Sequence, residues 1–481
     1  MHQEVRFVYK GEVRAIKDFP ADHTVLNFLR EDLRMCGTKE GCAEGDCGAC
    51  TIVLGERDPS SGQVRYRAVN SCIVFVGSLH SKILFTVEDL KQGGHYHPVQ
   101  KAMVDAHGSQ CGYCTPGFIM SLFALYQSEE NPPKDSVEDA LIGNLCRCTG
   151  YRPILEAARK MVGEGQSVEF FDYLKSQEKL LETIEEGAVV VDGENELFAI
   201  PKSLQELLQL KNDHPDAHLL AGGTDLGLWV TKRKMILPKM ILTTQVQDLQ
   251  GYELKEEELV IHAACSYSDA LEVLQSEFPA FYHLVMRLGS RQIRNLGTFA
   301  GNLANASPIG DSAPCLIALG SSIVLESVEG QRKMALEEFF VDYRKTVLKP
   351  NEVIRSIHIP RIQKDSSFHV YKLSKRFDQD ISSVCGAFHL KLSSDNKVED
   401  LRLCFGGMAA TPKRASHTEK ALLGQEWTSD NMEKAASGLE SEFTPMTDFR
   451  GSAQYRSLAA GNLLRKFYSE IEGSQKVGVR K

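Results

Sequence analysis

Eight of the thirteen cysteines fall in two tight groups within the first 150 residues, and no other feature constrains the chain as strongly. The first group consists of Cys42, Cys47, Cys50 and Cys72. Its spacing, C-x4-C-x2-C with a distant fourth cysteine, is typical of plant-type [2Fe–2S] proteins and unlike that of zinc fingers. Gly41, Gly45 and Gly48 allow sharp turns in this stretch, and they let backbone N–H groups approach the sulfurs.

The second group lies in a segment with helical periodicity and consists of Cys111, Cys114, Cys146 and Cys148. Its pattern, C-x2-C and later C-x-C, is compatible with zinc when taken alone, but its place beside the first group favours a second [2Fe–2S] cluster. Thr115 is predicted as an N-cap and Pro116 as the first helical residue, so the two leading cysteines precede a helix start that favours an anionic cluster. Two clusters on one chain indicate a route for electrons.

A chain of 481 residues is too long for a single core. The patterning predicts a multidomain α+β protein: a ferredoxin-like β-grasp [2Fe–2S] domain, a four-helix [2Fe–2S] domain, a linker with one helix, a region in which sheet and helix alternate, and a C-terminal α+β domain. The predicted bounds are 1–86, 87–165, 166–192, 193–362 and 366–475.

Local signals support this division. Val5, Phe7 and Tyr9 alternate with polar residues as in a hairpin strand, Thr24 is predicted to cap a helix, and SLQELLQL opens with the capping box of Ser203 and Glu206.

Composition excludes several classes of partner. The formal net charge of −9 argues against nucleic acid or an anionic membrane as the main ligand. The opening MHQEVRFVYK lacks the apolar core of a signal peptide, and no apolar run is long enough to span a bilayer. Many cysteines without an export signal predict a reducing, cytoplasmic location.

Two glycine-rich stretches predict a polar ligand site. LLAGGTDLG, residues 219–227, is a short apolar strand followed by a loop whose N–H groups can approach a diphosphate. The run RNLGTFAGNLANASPIGDSAP, residues 294–314, is too polar for a plain core; the alternative is two surface turns. Arg287, Arg291 and Arg294 recur at helical spacing and are interpreted as a solvated helix face.

Five motifs in a fixed order carry a resemblance to a known family. GTKEGCAEGDCGAC, GSQCGYCTPGFIMS, GNLCRCTGYRPI, AGGTDLG and GNLANASPIGD are similar to segments of the iron–sulfur and FAD-containing small subunits of bacterial xanthine dehydrogenases, within the molybdenum hydroxylase family. The resemblance covers nearly the whole chain. It implies two [2Fe–2S] clusters on the eight cysteines named above and one FAD, and it implies that residues 193–362 form a two-part α+β FAD-binding domain.

The resemblance also implies individual contacts. The pyrophosphate loop corresponds to Leu219, Leu220, Ala221, Gly222, Gly223, Thr224, Asp225 and Leu226. Further FAD contacts are implied at Leu288, Thr298, Gly301, Asn302, Asp311, Ile354 and Lys372. Leu288 stands where the family often has an aromatic residue beside the flavin ring. Tyr343, Asp378 and Asp380 correspond to the face at which NAD approaches the flavin, and Gln110 corresponds to a glutamine that reaches the molybdopterin.

The sequence holds no counterpart of the family's large molybdenum-binding domain. The resemblance therefore implies a separate large subunit that carries molybdopterin, in an assembly with two copies of each chain. It predicts the electron-transfer part of an NAD-dependent xanthine dehydrogenase, without acid–base residues for the purine. Two alternatives stay open: an aldehyde or N-heterocycle as the partner's substrate, and, from another class, a non-catalytic maturation factor with structural zinc.

Overall fold

The structure is a computed structural model that describes residues 2–58, 61–185, 187–193 and 195–477. It divides into two compact units, Met1–Asp248 with Gly289–Gly297, and Leu249–Leu288 with Thr298–Lys481. Sheets and helices alternate in both units, and the predicted multidomain α+β class is confirmed.

The first unit opens with a ferredoxin-like sheet. Its elements are β1 (Val5–Tyr9), β2 (Glu12–Ile16), α1 (Val25–Asn27), β3 (Thr51–Arg57), β4 (Val64–Asn70) and β5 (Ile83–Phe85). The strand order is β2-β1-β5-β3-β4, with β1 parallel to β5 and the other pairs antiparallel. Thr24 caps α1 as predicted, because its hydroxyl accepts the Asn27 N–H at 3.2 Å. The loop between α1 and β3 carries Cys42, Cys47 and Cys50.

Four helices follow, as predicted: α2 (Pro98–Asp105), α3 (Thr115–Ser128), α4 (Lys134–Leu141) and α5 (Arg152–Lys160). The predicted start of α3 was wrong by one residue. Cys114 is the N-cap residue and Thr115 is already helical, since the Thr115 hydroxyl donates to the Ser109 hydroxyl at 2.8 Å instead of capping the backbone.

The segment predicted as a linker is structured over much of its length. It contains α6 (Val168–Leu181) and β6 (Val189–Asp192). Phe170 and Leu174 of α6 are buried in the core of the helical region, and the Gln177 side chain accepts the Gly11 N–H at 2.9 Å. Its residues therefore join the ferredoxin-like sheet to the four helices.

A second sheet completes the first unit. It contains β6, β7 (Leu197–Ile200), β8 (His218–Leu220) and β9 (Lys239–Leu242), with α7 (Leu204–Asp213) and α8 (Leu226–Thr231) between strands. The order is β6-β7-β9-β8, and β7, β9 and β8 run parallel. The capping box of Ser203 and Glu206 opens α7 as predicted. Residues 221–225 lie at the carboxyl end of β8, the edge at which parallel sheets bind ligands.

The second unit contains two further sheets and a hairpin. Its strands are β10 (Tyr252–Leu254), β11 (Glu258–His262), β12 (Ser322–Ser327), β13 (Gly330–Ala335), β14 (Phe340–Asp342), β15 (Lys345–Thr346), β16 (Val353–Pro360), β17 (Ser366–Leu373), β18 (Val384–Leu392), β19 (Val398–Gly406) and β20 (Lys413–Arg414). Its helices are α9 (Leu271–Glu277), α10 (Pro279–Met286), α11 (Phe299–Ala304), α12 (Ser312–Ala318), α13 (Ser416–Leu422), α14 (Ser429–Glu442) and α15 (Ala453–Val477).

The sheets of this unit have the orders β10-β11-β16-β12-β13 and β17-β18-β19-β20, and β14 pairs with β15. Phe388, Phe405, Trp427 and Phe467 form the centre of the C-terminal core. Among the described residues, no helix combines the length and the apolar character needed to cross a bilayer.

Candidate iron–sulfur and flavin sites

The first four cysteines form two thiol pairs. A hydrogen bond from Cys47 lowers the pKa of Cys42 to about 5, and one from Cys72 lowers the pKa of Cys50, while the donating thiol of each pair has a raised pKa. In each pair the two sulfurs lie within hydrogen-bonding reach of one another. A [2Fe–2S] cluster is held by four thiolates, two on each iron, so two pairs fit its donor set.

The backbone around Cys42 directs three N–H groups at its sulfur. They belong to Glu44, Asp46 and Cys47, at 3.4, 3.4 and 3.3 Å. Gly45 helps to place them, because it adopts φ +78°, a left-handed conformation that glycine accepts without strain. N–H groups near cluster sulfurs stabilise the added negative charge of a reduced cluster, and this loop is built to provide them.

Asn70 adds an orphaned polar group beside the first site. It is fully buried at the end of β4, and neither carboxamide atom makes a hydrogen bond of normal geometry within the described part of the chain. After the Cys72 hydrogen bond, its carboxamide is a further cause of the lowered pKa of Cys50. Burying an amide that lacks a full set of hydrogen bonds is costly, and a cluster at these cysteines would supply acceptors for it.

The second four cysteines are also paired, as Cys111 with Cys148 and Cys114 with Cys146. The Tyr113 N–H and then the Cys148 thiol lower the pKa of Cys111, and the pKa of Cys148 is raised by the same bond. Burial and the bond to Cys146 raise the pKa of Cys114 to about 12. Cys111 and Cys148 are exposed, as is Gln110 beside them.

The eight thiols therefore stand in four pairs. Within residues 2–58, 61–185, 187–193 and 195–477, three or more His, Cys, Asp or Glu side chains nowhere gather in the arrangement that holds a single metal ion.

The two thiol sites are in direct backbone contact. The Leu145 N–H, next to Cys146, donates to the Cys47 carbonyl at 3.0 Å, and the Asn144 carboxamide donates to the Gly48 carbonyl at 3.1 Å. A Cβ on Gly48 would overlap the Gly143 carbonyl, and a Cβ on Gly117 would overlap the Gly48 carbonyl. Glycine at these positions is what allows the two ligand loops to approach so closely.

The glycine-rich loop after β8 packs against the first thiol site. Gly223 has φ +73°, and a Cβ there would lie 2.6 Å from the carbonyl oxygen of Ile73, the residue after Cys72. A Cβ on Gly222 would overlap the Leu296 carbonyl. The predicted pyrophosphate loop, Leu219–Leu226, thus starts at the end of β8, passes over the backbone beside a thiol ligand and enters α8 with Asp225 at its N-cap position.

In the second unit, the predicted flavin contacts at Asp311 and Lys372 form a buried ion pair of 2.7 Å. The other carboxylate oxygen of Asp311 accepts the Ser382 hydroxyl at 2.5 Å. Thr298 caps α11, accepting the Gly301 N–H at 3.0 Å, and the Asn302 side chain accepts the Ser312 hydroxyl at 2.5 Å. These contacts fix the loop around α11 and α12 in one conformation.

The other predicted residues of this unit lie on different elements. Ile354 is buried on β16, and Leu288 is partly buried just after α10. Tyr343 is exposed in the turn between β14 and β15. Asp378 and Asp380 lie in the loop between β17 and β18. Burial acts to raise the pKa of Asp380, but the Arg376 N–H at 2.8 Å and the Arg376 charge outweigh it, so that this pKa is lowered.

The arginines at helical spacing are not a solvated helix face, and this interpretation was wrong. Arg294 is fully buried and pairs with Asp139, whereas Arg287 stacks over the Phe377 ring at 4.3 Å and donates to the Lys372 carbonyl at 3.3 Å. A short helix, Arg291–Arg294, separates their environments. Periodicity assumes one continuous helix. In the structure one helix ends at Met286 and another begins at Arg291, so the three arginines do not share a helix face.

The Lys232 side chain is partly exposed, and its ammonium reaches the first thiol site. Its Nζ donates to the Cys42 carbonyl at 2.7 Å and lies 3.2 Å from the Glu44 carboxylate. Neither Lys232 nor Ser382 carries a local motif that could have predicted these contacts.

Three domain families match consecutive parts of the chain. A [2Fe–2S] binding domain matches residues 86–159, the FAD binding domain in molybdopterin dehydrogenase matches 193–362, and the CO dehydrogenase flavoprotein C-terminal domain matches 369–471.

Full-length similarity extends across these domains. The chain is 31% identical to the xanthine dehydrogenase/oxidase of Gallus gallus over 97% of its own length, and 34% identical to the xanthine dehydrogenase of Drosophila pseudoobscura pseudoobscura over 93%. The chain belongs to the molybdenum hydroxylase family. As a member of this family it carries FAD and two [2Fe–2S] clusters. It spans 40% and 38% of the lengths of these two relatives.

Several solved structures are similar in fold to somewhat more than half of the chain. Carbon monoxide dehydrogenase of Hydrogenophaga pseudoflava matches with a TM-score of 0.53 and 28% identity, covering 56% of this chain and 94% of that one. CO dehydrogenase of Oligotropha carboxidovorans matches with a TM-score of 0.53 and 27% identity, covering 57% and 96%. Quinoline 2-oxidoreductase of Pseudomonas putida, at 21% identity and a TM-score of 0.52, is similar in fold.

Proposed function

We propose that this chain is the electron-transfer subunit of a xanthine dehydrogenase. In this proposal a partner subunit hydroxylates hypoxanthine to xanthine and xanthine to urate, and the electrons travel through the two [2Fe–2S] clusters and FAD to NAD. Bound flavin supplies the step between one-electron and two-electron chemistry, since a cluster carries one electron and hydride transfer to NAD needs two.

The observation that carries this proposal is the joint placement of three sites in the first unit. Two sets of paired thiols touch through the bond between Leu145 and Cys47, and the loop at Gly223 lies on the backbone of Ile73 beside Cys72. The order second thiol site, first thiol site, flavin loop is the order that the electron route requires. The chain's own contribution is thiolate ligation, N–H groups directed at sulfur and a fixed separation between sites.

The partner in this proposal is a large subunit that holds molybdopterin, with two copies of each chain in the cytoplasm. Gln110 is exposed beside Cys111, so it is available to a partner's cofactor. The matched relatives are more than twice as long as the chain, which leaves room in them for further domains.

We assign the FAD contacts to the residues that the motifs predict, residues 219–226, Leu288, Thr298, Gly301, Asn302, Asp311, Ile354 and Lys372. The Asp311–Lys372 pair is buried and held by Ser382, so its charges are fixed before any ligand arrives. NAD would approach at Tyr343, Asp378 and Asp380, which lie in turns at the surface of the second unit.

A second candidate keeps these cofactors and changes the partner's substrate to an aldehyde, an N-heterocycle or another small molecule of the family. It is favoured by the carbon monoxide dehydrogenase structures, which match the fold over 56% and 57% of the chain. The substrate site would lie on the partner, so this chain cannot discriminate between the candidates.

The deciding experiment uses the tagged chain, purified from its native cell with whatever binds it. Xanthine is added under anaerobic conditions while absorbance in the flavin and iron–sulfur region is followed, and NAD is added afterwards. We expect bleaching by xanthine and recovery on NAD.

Other outcomes assign the alternatives. No bleaching, with a molybdenum-containing large subunit present, would overturn xanthine as substrate and favour the second candidate. Bleaching without recovery on NAD would overturn NAD as acceptor. Zinc in place of iron, without flavin and without such a partner, would favour a maturation factor.

A further inference from the structure

The loop that surrounds the Cys42 sulfur contains a strained residue. Ala43 adopts φ +54°, in the left-handed region, where a side chain clashes with the following carbonyl. A non-glycine residue in this conformation is strained and persists only where its surroundings hold it. Ala43 lies between Cys42 and Glu44, so a group that contacts both of these neighbours helps to hold the turn.

Lys232 contacts both neighbours of the strained residue. Its Nζ donates to the Cys42 carbonyl at 2.7 Å on one side of Ala43 and lies 3.2 Å from the Glu44 carboxylate on the other. The Glu44 N–H, in turn, donates to the Cys42 sulfur at 3.4 Å. One ammonium therefore bridges the ends of a turn whose conformation directs an N–H group at a cluster ligand.

We propose that Lys232 is a positioning residue for the first cluster, and that it sets the reduction potential of that cluster by holding the turn at residues 42–44. Lys232 follows α8, whose N-terminal end begins at the flavin loop, so its backbone is anchored on a structured element of the same unit. The inference rests on the assignment of the first cluster to Cys42, Cys47, Cys50 and Cys72. It does not depend on the partner's substrate.

Lys232 acts on the first cluster through geometry more than through its charge. The side chains of Lys232 and Glu44 are 43% and 39% exposed, so water and salt screen their charges. The hydrogen bond from the Glu44 N–H to the Cys42 sulfur is short-ranged and is not screened in this way. It stabilises the reduced cluster, which is more negative than the oxidised one, and its loss therefore lowers the potential.

The test compares Lys232→Met, Lys232→Arg and wild type in the intact complex. The first cluster is titrated anaerobically with dithionite and mediators, without substrate, and its reduced form is followed by electron paramagnetic resonance. For Lys232→Met we expect the ratio of reduced to oxidised first cluster at a fixed potential to fall about fivefold, the equivalent of one ordinary hydrogen bond. Lys232→Arg retains a donor and is expected to restore most of the potential.

Lys234→Met is the matched control, because it removes an equal charge two residues away at an exposed position. The shift in Lys232→Met is expected to persist at 1 M salt, where the Debye length is about 3 Å. An unchanged potential in Lys232→Met, an equal shift in Lys234→Met, or a shift that disappears at high salt would each overturn the positioning role. Since no substrate is used, none of these results bears on the proposed function.

Discussion

The two thiol sites of the first unit are built in different ways. At the first site Cys50 and Cys72 are each 2% exposed, the Cys42 sulfur accepts three N–H groups, and Asn70 is buried beside Cys50 with no hydrogen bond of normal geometry among the described residues. At the second site Cys111 and Cys148 are exposed. One site is therefore formed by the chain itself, whereas the other opens to its surroundings.

The two sites therefore differ in what determines their reduction potential. In the first site the protein supplies the dipoles around the sulfurs, so the potential depends on this chain's own residues. In the second site the chain also supplies groups, from Tyr113 to Cys111 and from Thr149 to Cys146, but solvent or whatever covers the exposed thiols adds to the environment. The flavin loop touches only the first site by the contacts described, through Ile73 and Gly223.

The strongest test of this contrast removes one ligand from each site. Cys148→Ser is expected to lose or distort the second cluster while FAD stays bound and flavin reduction by substrate slows. Cys72→Ser is expected to lose the first cluster and also to weaken FAD retention, because the Ile73 carbonyl that supports Gly223 moves with its neighbour. Iron content, flavin content and the two paramagnetic signals are measured in both variants. Equal flavin loss in both would remove the asymmetry, and unchanged flavin reduction in Cys148→Ser would remove the second cluster from the route.

The contact between Gly223 and the Ile73 carbonyl can also be disrupted by a substitution in the predicted pyrophosphate loop. Gly223→Val places a side chain against the Ile73 carbonyl and strains the backbone at φ +73°, and we expect FAD affinity to fall at least about tenfold, the effect of roughly 1.4 kcal/mol. The first paramagnetic signal should change and the second should not. Flavin-to-protein ratio and flavin titration measure the loss.

Gly251→Val is the matched control for this variant. Gly251 has a similar φ of +67° but no atom within 4 Å of an added Cβ, so it carries the backbone strain without the collision. Full flavin in Gly223→Val would contradict the assignment of the pyrophosphate loop.

Chelation should separate the two sites by exposure. We expect the second cluster to lose iron severalfold faster than the first under a strong chelator in mild denaturant, since Cys111 and Cys148 are reached from solvent and Cys50 and Cys72 are not. The decay of each paramagnetic signal with time gives the two rates. Equal rates would mean that burial of the thiols does not protect the first site, or that a partner covers the second.

The smallest expected effect concerns the orphaned amide. Asn70→Leu keeps the size of the side chain and removes its donor, so the reduced-to-oxidised ratio of the first cluster at fixed potential should fall about threefold to fivefold. The second cluster should be unaffected. A titration of both signals in one sample measures this, and an equal shift in the second cluster would show a general change of the fold.

Much of this organisation could be predicted from sequence because its signals are local. Cysteine spacing, the Thr24 cap and the Ser203–Glu206 capping box involve residues a few positions apart, and each is present in the structure. The predicted start of α3 was wrong by one residue, since the Thr115 hydroxyl donates to Ser109 and does not cap the helix. Such competition between nearby polar groups is decided by loop geometry, which spacing does not contain.

Contacts between distant segments could not be predicted. The bonds from Lys232 to Cys42 and from Leu145 to Cys47 join residues far apart in sequence, and the burial of Arg294 depends on Asp139. None of these residues differs in type from ordinary surface or loop residues. Their roles follow from which segments the fold brings together, a property of the whole unit.

The glycine contact between the two thiol loops limits how this molecule can vary. Gly48 and Gly117 lie where any side chain would separate one ligand set from the other, and the Leu145 N–H ties the loops together. The two sets of ligands can approach each other this closely because neither glycine has a side chain. A relative that carried even a methyl group at either position would need compensating changes in both ligand loops, so the two cofactor sites can change only together.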